Sequence, residues 1–94
     1  MKIVWTPVAE VDRDRIWMFL AEQSVVGADK VEARLHQRLE SLRGVPRQGR
    51  PIAEGRRELS IPDIQLRVIY RIAPEENAVR ILRLWSTRQN REGP

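Results

Sequence analysis

The side chains able to do chemistry in this 94-residue chain are mostly arginines. Residues 43–94 carry eleven arginines, no lysine and six acids, a balance of +5, whereas residues 1–42 balance at −1. Arginine presents a planar five-donor fork that grips a carboxylate or phosphate at two points, where lysine is a mobile point charge. The chemistry on offer is therefore anion recognition, aimed at nucleic acid or a carboxylate-rich protein. Groups that move protons are scarce. The chain has no cysteine, which excludes disulfides and thiolate metal sites. Its one histidine, His36, falls in the middle of a helical pattern beside the apolar stripe and reads as a surface residue. Its one tyrosine, Tyr70, alternates with Val68 and Ile72 and reads as core, with the hydroxyl at an edge. Nothing in the sequence calls for a metal or a cofactor.

The elements that must hold these groups follow from periodicity. Lys2–Trp5 reads as a short strand. Thr6-Pro7 stops it and opens a helix over about 7–23, with Thr6 as N-cap and Pro7 at the first position. Glu10, Asp12 and Asp14 suit the amino end of that helix. Val8, Ala9, Ile16, Phe19 and Leu20 fall on one face and are expected to be buried, and Trp17 falls off it. Ser24 caps a second helix, whose Ala28, Val31, Leu35, Leu39 and Leu42 step by threes and fours before Gly44 ends it. So short a connection makes an antiparallel helical hairpin. Residues 45–51, rich in Pro, Gly and Arg, read as a loop.

Three strands complete the chain: 57–61, 64–72 and 78–85. In the middle one Ile64, Leu66, Val68, Tyr70 and Ile72 share a face, opposite Gln65, Arg67 and Arg71. The last has apolar residues on both faces, as a central or bulged strand would. The expectation is one α+β domain over 1–94, in the order β-α-α-β-β-β. Its helix hairpin packs on one face of an antiparallel sheet, the other face is open and basic, and a polar tail covers about 87–94. The first residues lack the apolar run of a signal peptide and no segment approaches the ~20 residues that span a bilayer, which points to the cytoplasm.

Four pieces taken in order resemble the ParE/RelE superfamily of toxins: Ala9, Ile16, Phe19 and Leu20; the leucine stripe running into Leu42, Pro46 and Gly49-Arg50-Pro51; Gly55-Arg56-Arg57-Glu58-Leu59; and Leu66 to Ile72 followed by Val79 to Trp85 and Arg88. The resemblance implies the toxin of a type II toxin–antitoxin system. Its partner would be a ParD-like antitoxin with a ribbon-helix-helix DNA-binding part and a segment that wraps the toxin. Two targets occur in the superfamily. ParE-like members poison DNA gyrase, and RelE-like members enter the ribosome and cut messenger RNA.

The resemblance also proposes site residues. Arg67 and Arg88 match the arginines that RelE-like nucleases set against the scissile phosphate, where a guanidinium pair would stabilise the charged transition state. The rest of such a site is missing. Arg57, Glu58, Leu59 and Ser60 stand where those enzymes carry lysines, Ser86 replaces a histidine common after the last strand, and no tyrosine or histidine follows Arg88. Cleavage by 2′-hydroxyl attack needs a proton acceptor and a proton donor, and the sequence supplies neither at those places. The expectation is therefore a ParE-like gyrase inhibitor, with Arg67 and Arg88 catalytic only in the RelE-like alternative. Trp17, Arg57, Arg67, Arg71, Trp85, Arg88 and Arg91 are the expected partner-binding residues. Glu58 is expected to pair with a neighbouring arginine.

Overall fold

The computed structural model describes residues 1–88 and divides them into β1 (Lys2–Trp5), α1 (Pro7–Ala21), α2 (Val25–Ser41), β2 (Arg50–Pro51), β3 (Arg57–Ile61), β4 (Leu66–Ala73) and β5 (Ala78–Ser86). The strands form one sheet in the order β1-β5-β4-β3-β2, with the helical hairpin across one face. The α+β class and the element order are those expected.

Two details of the sheet differ. β1 pairs with β5 in parallel, Lys2 opposite Ala78 and Trp5 opposite Ile81, so the sheet is mixed. A tight turn forces antiparallel pairing, but β1 and β5 are joined through the whole intervening chain and no turn fixes their direction. The expected loop also contains an edge strand, Arg50 opposite Glu58 and Pro51 opposite Arg57. A proline lacks the donor a central strand needs and is tolerated at such an edge.

Local signals account for the boundaries. The Thr6 hydroxyl accepts from Ala9 N–H at 3.3 Å and donates to the Ile81 carbonyl at 2.7 Å, so one residue caps α1 and pins it to β5. Ser24 accepts from Gly27 N–H at 2.9 Å and starts α2. β4 begins at Leu66, two residues later than expected, because Pro62-Asp63-Ile64 tightens into a 3-10 turn and Gln65 closes it at φ 56°. Pro74-Glu75-Glu76 and Asn77 repeat that device before β5. Ile69 lies opposite Arg83 and Tyr70 opposite Ile81, which leaves Leu82 as the extra residue of a bulge. The bulge explains why β5 has apolar residues on both faces.

The core lies between hairpin and sheet. Leu35, Leu39 and Leu42 of α2 and its exit meet Leu59, Ile61, Leu66, Val68, Tyr70, Ile81 and Leu84. On α1 the buried stripe is Ala9, Asp12 and Ile16, with Leu20 partly buried. This corrects the expected face: Val8 is 52% exposed and Phe19 only half-buried. Val11 and Met18 are exposed as well, so α1 carries apolar side chains on both sides. Arg13 ties the layers together by pairing with Glu32 of α2 while its guanidinium lies 4.8 Å from the centre of the Trp5 ring.

Candidate partner-binding site

β1 ends at Trp5, opposite Ile81, and beyond that point β5 has no strand neighbour on that side among the described residues. A buried backbone N–H there needs another acceptor. Asp12 supplies it from α1. One carboxylate oxygen accepts from Leu84 N–H at 3.0 Å and from Arg83 Nε at 2.8 Å, and the other accepts from Arg83 Nη2 at 3.3 Å. Asp12 is 6% exposed and completes the sheet edge with a side chain in place of a strand. The hydrogen bond that Arg83 donates to Asp12 raises its guanidinium further above the ordinary range, against a smaller opposing effect of burial. Asp12, Arg15, Ile16, Arg83, Leu84 and Trp85 line a groove of about 290 Å³ along this edge.

The sheet face turned away from the helices carries a row of charged and aromatic side chains. Arg83 lies over the Trp85 ring, 4.6 Å from its centre. Trp85 is the cross-strand neighbour of Arg67. Arg67 Nη1 is 3.5 Å from Glu58 Oε2, and Arg50 reaches the other Glu58 oxygen at 2.8 Å. Glu58, with a side chain only 10% exposed, is thus held between two guanidinium groups, as expected of a pairing residue. Arg67 Nε and Trp85 Nε1 are buried and have no hydrogen-bond partner among the described residues. Arg71, exposed on the same strand, has no ion-pair partner among the described residues.

The loop after α2 is fixed by Tyr70. Its hydroxyl donates to the Pro46 carbonyl at 2.6 Å and accepts from Gly49 N–H at 2.8 Å, in a fully buried position. Burial raises the Tyr70 hydroxyl above its usual range, opposed by the Gly49 bond and by the charge of Arg57. Gly49 is needed here: a Cβ would sit 2.8 Å from the Tyr70 ring and from the Glu58 carbonyl oxygen. Arg57 spends its guanidinium on the carbonyls of Gly49 at 2.7 Å and Arg47 at 3.4 Å.

Residues 3–91 match the family model described as the ParE toxin of the type II toxin–antitoxin system parDE. The match takes in both helices and every strand of the sheet, Asp12 and the arginine row included. The chain belongs to the ParE toxin family. Among solved structures it is similar to that of the chromosomal ParDE toxin–antitoxin system from P. aeruginosa, with a TM-score of 0.76 and 25% identity, covering 89% of this chain and 92% of that one. No curated protein sequence matches.

In this ParE-family chain the expected partner-binding residues do not form one patch. Arg67, Arg71 and Trp85 share the open sheet face. Arg57 is paired in register with Tyr70, on the helix side, and holds the loop. Trp17 lies between the helices, half-buried, with its indole N–H donating to Asp29 at 3.3 Å. Arg88 caps the corner before β4 by donating from Nε to Gln65 Oε1 at 2.6 Å, and no described contact joins it to Arg67. Arg91 lies outside the described residues. Sequence reasoning missed Asp12 as a structural hub. The signal was available, since Ala9, Asp12 and Ile16 step by three and four and place the acid inside the apolar stripe.

Proposed function

We propose that this chain is a ParE-like toxin that arrests growth by inhibiting DNA gyrase in the cytoplasm and is neutralised by a ParD-like antitoxin. The observation that carries the reading is the family match over residues 3–91. The disposition of proton-moving groups supports it. The Tyr70 hydroxyl is buried and already bonded to Pro46 and Gly49, and Glu58 is pinned by Arg50 and Arg67. His36 is exposed on α2, on the helical layer, away from the arginine row. Proton transfer by a positioned group contributes about 10²–10⁴-fold to such a reaction. A ribosome-dependent nuclease built on Arg67 and Arg88 would forgo that factor, whereas an inhibitor needs only a complementary surface.

The deciding experiment places purified protein in a gyrase supercoiling assay, with primer extension on messenger RNA from translating ribosomes in parallel. Blocked supercoiling or trapped cleaved DNA, reversed by the protein encoded next to this one, is the expected result. Codon-positioned messenger cuts that vanish in Arg67→Ala, with gyrase unaffected, would assign the RelE-like activity instead.

A further inference from the structure

We propose that Arg67 and Trp85 form a subsite for one carboxylate, filled by an Asp or Glu side chain of the antitoxin's acidic segment. The subsite deepens the toxin–antitoxin reading and rests on it for the identity of the partner. Two observations carry it. Arg67 Nε and Trp85 Nε1 are both buried donors with no hydrogen-bond partner among the described residues, and a buried polar group left unpaired is costly and uncommon. They also belong to residues directly opposite each other on β4 and β5, so the two side chains that carry these donors start from neighbouring positions on one sheet face. Neighbouring donors of this kind call for a ligand with two acceptor atoms.

The surrounding charge selects the ligand. Arg67 and Arg50 share the single negative charge of Glu58, and Arg83 is paired with Asp12. A nucleic-acid backbone needs a run of uncompensated cations, and Glu58 in the centre of this face would repel successive phosphates. A single carboxylate meets that repulsion once, where a nucleic-acid backbone meets it at successive phosphates. One oxygen can accept from the Arg67 Nε–H and the other from the indole N–H, while Arg67 Nη1 keeps its contact with Glu58. The donors themselves are buried, so entry of the carboxylate has to displace the Arg67 and Arg83 side chains, which are 26% and 41% exposed. Arg83, lying over the Trp85 ring, adds positive charge beside the entering group.

The test uses the full chain labelled with ¹⁵N and follows its three indole N–H signals, with that of Trp85 identified by its loss in Trp85→Phe. Sodium acetate is the probe, compared with sodium chloride at equal ionic strength. Acetate should move the Trp85 signal saturably and leave those of Trp5 and Trp17 in place. Arg67→Lys, which keeps the charge but removes the Nε donor, should raise the apparent dissociation constant about tenfold or abolish saturation. Absence of a saturable shift over chloride would mean that these donors are satisfied by solvent, and the proposal fails. A short DNA duplex that saturates the Trp85 signal where acetate does not would also overturn it, in favour of a phosphate-binding face. Neither arm uses gyrase or antitoxin, so a negative result here leaves the toxin reading standing, and a negative gyrase result leaves this subsite untouched.

Discussion

The two helices of the hairpin are attached to the same sheet by different physics. α2 is bound by leucines: Leu35, Leu39 and Leu42 are each 3% exposed or less and enter a core of aliphatic side chains. α1 is bound along a thinner stripe in which a carboxylate, Asp12, sits between Ala9 and Ile16. The outer sides differ as well. Apart from Ala33, the solvent-facing positions of α2 beyond its first turn are polar, while Val8, Val11 and Met18 remain exposed on α1. An amphipathic helix needs only a core to lie against. A helix with apolar groups on both sides and a buried acid has no single stripe that announces its buried face.

Removing the principal anchor of each helix separates the two mechanisms. Leu39→Ala should cost about 2–5 kcal/mol, the sum of lost burial and the cavity left behind. Asp12→Ala should cost about 2–3 kcal/mol, since it leaves the buried Leu84 N–H without an acceptor while the partly exposed Arg83 regains water. Asp12→Asn keeps an oxygen for Leu84 and should recover more than half of that loss. Urea denaturation measures all three. Equal losses for the Ala and Asn variants would show that charge, and not completion of the strand edge, is what Asp12 provides. The Leu39 effect should be insensitive to salt.

The same contrast decides what could be read in advance. The α2 stripe, the bulged last strand, both N-caps and the burial of Tyr70 were legible because each follows from spacing or from one residue's local chemistry. The buried face of α1 was not. Val8 and Phe19 are hydrophobic at plausible helical spacing and compete with the Ala9, Asp12, Ile16 stripe, and the position where β1 stops shows why the acid belongs inside. The parallel pairing of β1 is likewise a property of the whole chain, with no turn to announce it. Of the expected partner-binding residues, Arg67, Arg71 and Trp85 came together because strand alternation puts them on one face. Trp17, Arg57 and Arg88 were drawn elsewhere by Asp29, by two backbone carbonyls and by Gln65. Long donors go to acceptors that sequence distance does not reveal.

The exit of α2 offers a smaller perturbation. Gly49→Ala should cost about 1–3 kcal/mol, because its Cβ must displace the Tyr70 ring or the β3 backbone. Tyr70 is the only tyrosine, so its titration can be followed by absorbance without assignment. Its folded-state value is raised by burial. The neutral hydroxyl's contribution is therefore complete below the ordinary tyrosine range and is lost as pH rises through the higher folded value. Tyr70→Phe should be less stable at neutral pH and should lack that alkaline loss. A Tyr70 that titrates at the ordinary value in the native state would show an open loop, with the lock to Pro46 and Gly49 unmade.

The smallest effect belongs to the surface link between α2 and the turn before β4, and it is the exposed counterpart of the Asp12 anchor. Arg34 Nε donates to Asp63 Oδ2 at 2.7 Å, with side chains 38% and 55% exposed. The hydrogen bond from Arg34 lowers the Asp63 carboxyl below its ordinary value, against a smaller upward effect of burial. The direction fixes the pH window. A carboxyl lowered on folding contributes above its unfolded value, and the contribution disappears as pH falls through the folded one. Water and salt screen so exposed a pair, so Asp63→Asn should change stability far less than Asp12→Asn and should be indistinguishable from the parent in high salt. Carboxyl-detected NMR titration should find Asp63 below the ordinary carboxylate range in the parent and returned to it in Arg34→Ala. If Asp63→Asn instead destabilised the chain as much as Asp12→Asn, α2 would depend on charge as α1 does. The division between a leucine-bound and a carboxylate-bound helix would then have to be abandoned.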